Sequence, residues 1–426
     1  MNQTLGQKQS RSFFDVALFL LFMSLPFERL LTWDVAGFTV KLPYIMGGIL
    51  LVTAAVKLCQ NREKITFALP DYFLFAFVGW SYLTAIWSID QAKTLIVSSM
   101  FLFMGLIYLA IKNFADQSEI KNYIKIFIYL GVATAVFSFW QFFADGFGLV
   151  SHFTGVGPAY THALFGFPRV QSTFFEPGFF ANFLLIPLFL SVYLYIEEKK
   201  TSSLCFSMII GLAFFLTLSR GAFVAFVLSA IILLALMIWS KNFEKIKNLS
   251  KPTLIIISSF VLAILCVFIV AGNSGVKNYF SQIKNSGDVV QYDEKWGEEL
   301  MVRGYTIKVA MTHWREHRLV GIGTGAFGAL PEFAEVTAKG NARQTVNSLY
   351  PEIMVEEGLV GLLLFLAFLL ATLGRVLTLK KEDYLNLFFA AIILAIYIQY
   401  ASFSTLYLVY IWVFSGIAVR RDKFKI

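Results

Sequence analysis

Long apolar runs alternate with short polar connectors along most of the chain. The runs cover 13–33, 37–57, 69–88, 93–113, 123–144, 177–196, 202–218, 221–239, 252–272, 354–374, 384–400 and 403–419. Each is of the length a bilayer crossing needs, and none shows the apolar–polar alternation of a barrel strand. Continuous runs of this kind satisfy their backbone groups inside a membrane only as helices. The predicted fold class is therefore all-α: a polytopic membrane helical bundle of about 12 transmembrane helices. The whole chain, 1–426, reads as a single integral-membrane domain. Two connectors are long, 145–175 and 273–351, and the second holds most of the soluble-looking sequence. Within it, RGYTIKVAMTHWREHR (303–318) puts Tyr305, Val309 and Thr312 or His313 at helical spacing, which predicts a short amphipathic helix lying near the membrane surface.

Charge supports the same picture. With the N-terminus on the cytoplasmic side, the cytoplasmic connectors and ends hold 21 of the 35 Lys and Arg residues. The short outer connectors keep only Arg29, Lys41, Lys93, Arg169 and Arg220; the other nine basic residues lie in 273–351, too long a loop for the positive-inside rule to count. Both termini are thus expected in the cytoplasm, and the net charge of +8 reads as topology rather than as a nucleic-acid footprint. Composition agrees: 58% of residues are hydrophobic, mean hydropathy is +0.70, and only 15% are charged, against about 25% in an ordinary soluble domain. Cys59, Cys205 and Cys266 lie far apart in or beside apolar runs, so neither a disulfide framework nor a zinc site is expected. The run 13–33 is long and lacks a small-residue cleavage site, so it is not expected to be a cleavable signal peptide.

Candidate chemistry clusters on the outer side. In FFLTLSRGAFVAF (214–226), two apolar runs meet at Ser219-Arg220-Gly221. On the predicted topology the second run starts there and points inward. Its positive end faces outward beside a guanidinium, with Ser219 as cap, which makes an anion site of the kind phosphate occupies. The same arginine would also suit a lipid headgroup. In STFFEPGFFANF (172–183), Pro177 marks a helix start. Glu176 before it is a candidate general base or a simple complement to the helix dipole. LVGIGTGAFGAL (319–330) satisfies G-x-G-x-x-G at Gly323, Gly325 and Gly328. It lies between helices and outside any βαβ unit, so it is not a dinucleotide fingerprint. A turn whose N–H groups approach an anion, or a plain flexible turn, are the readings left. His313 and His317 are four residues apart but lack a third ligand and have Arg315 and Arg318 beside them, so no metal is expected; His152 and His162 have no clear partner. In NSLYPEIMVEEGLVGLLLFL (347–366), Glu356 and Glu357 suit a helix start, and Gly358 and Gly361 suit close packing.

Taken in order, RVQSTFFEPGFFANFLL, LTLSRGAFVAF, RGYTIKVAMTHWREHRLVGIGTGAFG and NSLYPEIMVEEGLVGL resemble the O-antigen ligase and polymerase superfamily, over roughly 165–375. The resemblance implies a GT-C-like membrane glycosyltransferase of the bacterial inner membrane, with its active site and its one large loop (273–351) in the periplasm. It implies an undecaprenyl-diphosphate-linked oligosaccharide as donor and inverting transfer without a nucleotide sugar, cofactor or metal. In a polymerase the acceptor is a second lipid-linked repeat unit of O-antigen, capsule or exopolysaccharide. In a ligase it is lipid A-core. The lipid bilayer and a chain-length regulator are the other expected partners, and no nucleic acid is. Arg220 and Arg303 match the family's arginines and are expected to clamp the diphosphate, with Arg169 as a third candidate; Arg220, Arg303 and Glu176 are the expected catalytic residues. Ser219, His313, Asn347 and Glu356 are expected to contact substrate. Where ligases carry a histidine before the acidic-Gly turn, the register falls on Asn347. That departure favours a polymerase and leaves the base to Glu176, His313 or His317, or to a late transition state needing little deprotonation. A transporter or flippase shares the twelve-span plan, but the two halves of this chain differ in their loops.

Overall fold

The computed structural model describes residues 12–29, 32–35, 38–61, 64–146, 169–285, 298–333, 345–379 and 384–420. Each of the twelve apolar runs contains a helix. These are α1 (Phe13–Ser24), α2 (Leu42–Asn61), α3 (Leu69–Leu83), α4 (Gln91–Phe114), α5 (Ile120–Gly146), α6 (Pro177–Glu198), α7 (Thr201–Leu216) and α8 (Arg220–Trp239). A short α9 (Phe243–Lys247) leads into α10 (Ser250–Asn285), then come α11 (Glu298–Glu316), α12 (Leu349–Thr378), α13 (Leu385–Gln399) and α14 (Val409–Ala418). Among the described residues, eight helical stretches are long and apolar enough to cross a membrane, and α1, α7, α13 and α14 are shorter apolar helices.

Three expectations need correction. The first run does not continue as helix to residue 33. Ser12 and Asp15 form a capping box that starts α1, but the helix stops at Ser24, just before Pro26. Chain beyond it forms strand β1 (Thr32–Val35), paired antiparallel with β2 (Phe38–Lys41) in the register Thr32 to Lys41, so among the described residues the fold is helical apart from one hairpin. The last run is helical only from Val409, and residues 400–408 form a bent connector. In α11 the buried face is Thr306, Val309 and Ala310, while Tyr305 is exposed, so the predicted stripe is turned by about one position.

The connectors gather at two ends. At one end the joins carry the lysines: Lys57 Nζ donates to Phe114 O (3.4 Å), Lys125 pairs with Glu198 (3.5 Å) and Lys245 with Glu197 (3.7 Å). At the other end Arg29 N donates to Thr173 O (3.0 Å), Val170 N to Leu216 O (3.2 Å), Ile89 N to Ile322 O (3.2 Å) and Leu349 N to Tyr400 O (2.9 Å). These contacts join segments that the charge pattern places on the same side, as a bundle of alternately directed helices requires.

Helix α6 is apolar all round and lies almost wholly buried at the centre, the expected place for a helix with no polar face. Its first turns sit in an aromatic cluster, with Phe174 stacked on Phe180 (5.4 Å) and Tyr410 edge-on to Phe183 (5.3 Å). Such pairs add about 0.5–1.5 kcal/mol each beyond burial. Rigid packing here fixes the turn that carries Glu176. By contrast α8 and α10 expose rows of Val, Ile, Leu and Phe, including Ile231, Leu254, Phe260 and Ile269, as helices on the outside of a membrane bundle do.

Candidate functional site

Three short turns converge at the end opposite the lysine-rich connectors, and each holds a non-glycine residue in the left-handed region: Ser172 (φ 53°), Leu218 (φ 49°) and Asn347 (φ 60°). That conformation is an outlier for a bulky residue such as leucine and costs on the order of 1–3 kcal/mol when imposed. Surrounding bonds impose it. Gln141 Oε1 accepts Ser172 N (2.7 Å), Gln141 Nε2 donates to Ser172 O (2.9 Å), and Ser172 Oγ donates to Thr134 O (2.9 Å). Asn347 is gripped between Val346, whose N–H donates to Glu352 Oε2 (2.9 Å), and Leu349, whose N–H goes to Tyr400 O.

The Ser219-Arg220-Gly221 turn joins this assembly on two sides. Arg169 Nε donates to Thr217 O (3.0 Å), which brings Arg169 beside it. Gly178, two residues into the chain from Glu176, lies against Ser219 Oγ. Gly221 faces Ser402 so closely that any Cβ there would collide with the serine side chain. Ser219 occupies the N-cap position of α8, yet its side chain makes no capping bond, which corrects the expected cap; instead its N–H donates to Thr217 Oγ1 (3.3 Å). Arg220 is the first residue of α8 and is exposed. The floor beneath is polar and buried: Asn182 Nδ2 donates to Gln399 Oε1 (2.9 Å), Gln399 Nε2 to Gly178 O (3.0 Å), and Tyr410 Oη to Asn182 Oδ1 (3.0 Å).

The glycine-rich turn is neither loose nor open. Gly358 (φ 68°) breaks α12, and residues 318–323 pair with the break: Ile322 N donates to Val355 O (3.0 Å), Gly323 N to Glu356 O (2.9 Å) and Leu359 N to Arg318 O (2.9 Å). The chains approach so closely that a Cβ on Gly321 or Gly358 would strike the opposite backbone. The N–H groups of Gly325 and Phe327 go to the chain's own Glu356, at 2.7 and 3.1 Å. The acceptor in the turn is an internal carboxyl group, not a ligand. Glu356 therefore organises the site, and both its oxygens are engaged.

The expected site residues thus separate. Arg169, Glu176, Ser219 and Arg220 meet around one turn, and Asn347 joins them through the connector 399–402. Arg303 lies one turn before Thr306 on α11, and Thr306 Oγ1 donates to Val346 O (3.0 Å), so its helix docks at the Asn347 turn; its side chain lies outside the described residues, as do His152 and His162. His313 is placed elsewhere, bonded to Glu332 Oε1 at 2.9 Å near the surface, and this bond holds the Glu332 carboxyl below the usual carboxylate range. Among the described residues no three His, Cys, Asp or Glu side chains gather as metal ligands.

Residues 205–366 match the family model described as O-antigen ligase. The resemblance to the O-antigen ligase and polymerase superfamily holds over that span, and the match supports an activity of the O-antigen ligase or polymerase type. No curated protein matches the chain. The O-antigen ligase match takes in the S-R-G turn, α11, the glycine turn and the break in α12.

Sequence reasoning missed three parts of this site. Glu352 and Ser404 line a cavity of about 160 Å³ together with Lys93, Thr345, Glu356 and Tyr407. Glu28, almost fully buried behind the hairpin, pairs with Lys41 (3.8 Å), whose ammonium also lies over the Phe175 ring (4.6 Å). Ser402 and Gln399 belong to a connector hidden inside what reads as continuous apolar sequence. The one signal available was the polar run Ser402-Phe403-Ser404-Thr405 between the last two helices.

Proposed function

We propose that the chain is a glycan polymerase that transfers an undecaprenyl-diphosphate-linked oligosaccharide onto another lipid-linked repeat unit, with inversion and without a metal. The observation that carries this reading is the convergence of Arg169, Glu176, Ser219 and Arg220 with the Asn347 turn at the end away from the lysine-rich connectors. On the positive-inside pattern that end faces the periplasm, and the bundle sits in a bacterial inner membrane with both termini in the cytoplasm.

Chemistry follows from the charges. The leaving group is a diphosphate on which negative charge grows as the anomeric C–O bond breaks. Arg220 at the start of α8 meets it with a planar fork backed by the helix N-terminus, and Arg303 and Arg169 complete the clamp. The acceptor is a sugar hydroxyl. Asn347, in the register where ligases carry a histidine, cannot take its proton, and this favours a polymerase over a ligase.

The test is transfer by the purified protein in vesicles, with lipid-linked repeats offered alone and together with lipid A-core. Growth of sugar chains on the lipid carrier is expected, and it should vanish in Arg220→Ala and Arg303→Ala proteins that insert and accumulate normally. Transfer only to lipid A-core would make the chain a ligase. Translocation of lipid-linked sugar without any glycosidic bond would make it a flippase. Full activity of both arginine variants would remove the clamp.

A further inference from the structure

The cavity beside the Asn347 turn contains a carboxyl group that the clamp does not use. Its walls come from α4, the glycine turn, the first turns of α12 and the connector 404–407. At about 160 Å³ it is on the scale of the roughly 150 Å³ cavity that takes one benzene ring, so it admits the reacting edge of one sugar and not an oligosaccharide. Three glutamates line it, and they are not equivalent. Glu356 spends both oxygens on Gly325 N and Phe327 N. Glu357 Oε1 accepts Ser81 Oγ at 3.0 Å, while its Oε2 is turned onto Gly361 beside α3, buried and without a hydrogen-bond partner among the described residues. Glu352 accepts Val346 N through Oε2 and stands in the first turn of α12, with Ser404 beside it. The hydroxyl of Ser404 lies beside this carboxylate. Its oxygen is closed off from solvent and, among the described residues, has no hydrogen-bond partner in good geometry. A buried hydroxyl left open next to a carboxylate, on the wall of a ring-sized cavity, is a place prepared for a polar ligand.

We propose that Glu352 is the catalytic base, taking the proton of the acceptor sugar's attacking hydroxyl while Ser404 hydrogen-bonds the same sugar. This rests on the polymerase reading above and identifies the base that reading leaves open. The acceptor O–H breaks and its proton passes to a Glu352 oxygen. The acceptor oxygen bonds the donor's anomeric carbon from the face opposite the diphosphate. The bond from that carbon to the diphosphate oxygen breaks, and its electron pair leaves with the polyprenyl diphosphate. The Asn347 turn, pinned through Val346 to the same carboxylate, holds base and clamp in register.

Glu352→Gln tests this, because a glutamine carbonyl still accepts Val346 N–H while the base is gone. Transfer is expected to fall by about 10²–10⁴-fold in kcat with little change in KM, and the acidic limb of the pH–rate profile should disappear. Glu352→Ala with added azide, a nucleophile that carries no proton to remove, should yield the inverted glycosyl azide from the lipid-linked donor; wild-type protein should not. Should the glutamine protein fail to accumulate, Glu352→Asp decides: a shortened base should lose at least about tenfold in kcat. A wild-type rate in Glu352→Gln or Glu352→Asp, or no glycosyl azide from a folded Glu352→Ala protein, would overturn the assignment. Wild-type protein run alongside separates the two claims: if it transfers no sugar, the polymerase reading fails, and if it transfers while Glu352→Gln does so equally, only the base is wrong.

Discussion

Glu356 Oε2 accepts the Gly325 N–H at 2.7 Å, so the glycine turn that looks built for a phosphate is closed by a carboxylate from the same chain. With Phe327 N on the other oxygen, one side chain ties the connector between α11 and α12 to the break in α12. Glu356→Ala leaves two buried N–H groups without partners, at about 1–3 kcal/mol each. Glu356→Gln keeps one acceptor oxygen and turns an amide N–H₂ towards the other donor. Both variants are expected to lower the unfolding temperature in detergent, alanine more than glutamine. Transfer per folded molecule should fall as well, because the cavity loses its wall.

Two glycines on α12 should respond in opposite ways to alanine. Gly358 has φ 68° and faces the Leu319 carbonyl with no room for a Cβ, so Gly358→Ala must push the connector off the helix break. The left-handed strain alone costs about 1 kcal/mol, and the backbone collision adds to it. Gly374 lies in the regular part of the same helix with open space around it, and Gly374→Ala is expected to be neutral or to gain up to about 1 kcal/mol in helix propensity. Thermal unfolding of the two purified variants gives the comparison directly.

How much of this was legible beforehand depends on distance along the chain. A helix in each of the twelve apolar runs, Pro177 at a helix start and the S-R-G turn follow from local rules of hydropathy and capping. The hairpin Thr32–Lys41 escaped because its strands are four residues long and lie against apolar runs on both sides, so no period-two pattern could separate them. Glu352 and Glu356 differ by one helical turn and look alike as letters. Their roles are set by Val346, Gly325, Phe327 and Ser404, which reach them across 6 to 52 positions of sequence. Spacing within a motif carries no record of such contacts. Ser219 shows the converse case: position predicted a cap, but Thr217 Oγ1 takes its N–H and the side chain does not cap the helix.

Arg220 is exposed at the first turn of α8, so its removal should not disturb folding. Arg220→Lys keeps the charge but loses the fork that grips two oxygens at once. If the diphosphate is held there, lysine should recover only part of the loss in Arg220→Ala, which is expected at about 10²–10³-fold in kcat. Equal rates for arginine and lysine proteins would mean that charge alone matters and that no bidentate contact forms.

Surface pairing between His313 and Glu332 should give the connector between α11 and α12 a pH dependence of its own. The carboxyl is held below its ordinary value, chiefly by the hydrogen bond from the histidine. The folded protein therefore binds that proton less readily than the unfolded chain does. Its contribution to stability is complete above the ordinary value of about 4.3 and is lost as pH falls through the lowered one. The pair is partly exposed, so the effect is at most about 1 kcal/mol. Protection of the Glu332 and Phe333 amides, taken as exchange relative to the intrinsic rate at the same pH, should fall in the wild type as pH drops below about 4.3, approaching that of Glu332→Gln, which should show no such step.

At the opposite end of α4, Asp71 receives Tyr108 Oη (2.9 Å), the Ala68 N–H and the Lys112 ammonium, and Lys112 also donates to Thr66 O (3.0 Å). Both charges are buried, and the network locks the start of α3 to the end of α4. Removing one partner leaves the other charge stranded, so Lys112→Met or Asp71→Ala alone should cost about 3–5 kcal/mol. Asp71→Asn combined with Lys112→Met removes both charges while the amide oxygen still accepts a hydrogen bond from Tyr108 or Ala68. That double variant should recover most of the stability lost by Lys112→Met. Because this network lies at the lysine-rich end, away from the Asn347 turn, kcat per folded molecule should stay unchanged in every variant. A fall in kcat that tracks the loss of stability would show instead that the two ends of the bundle are coupled through α4, whose first turn brings Lys93 into the cavity wall.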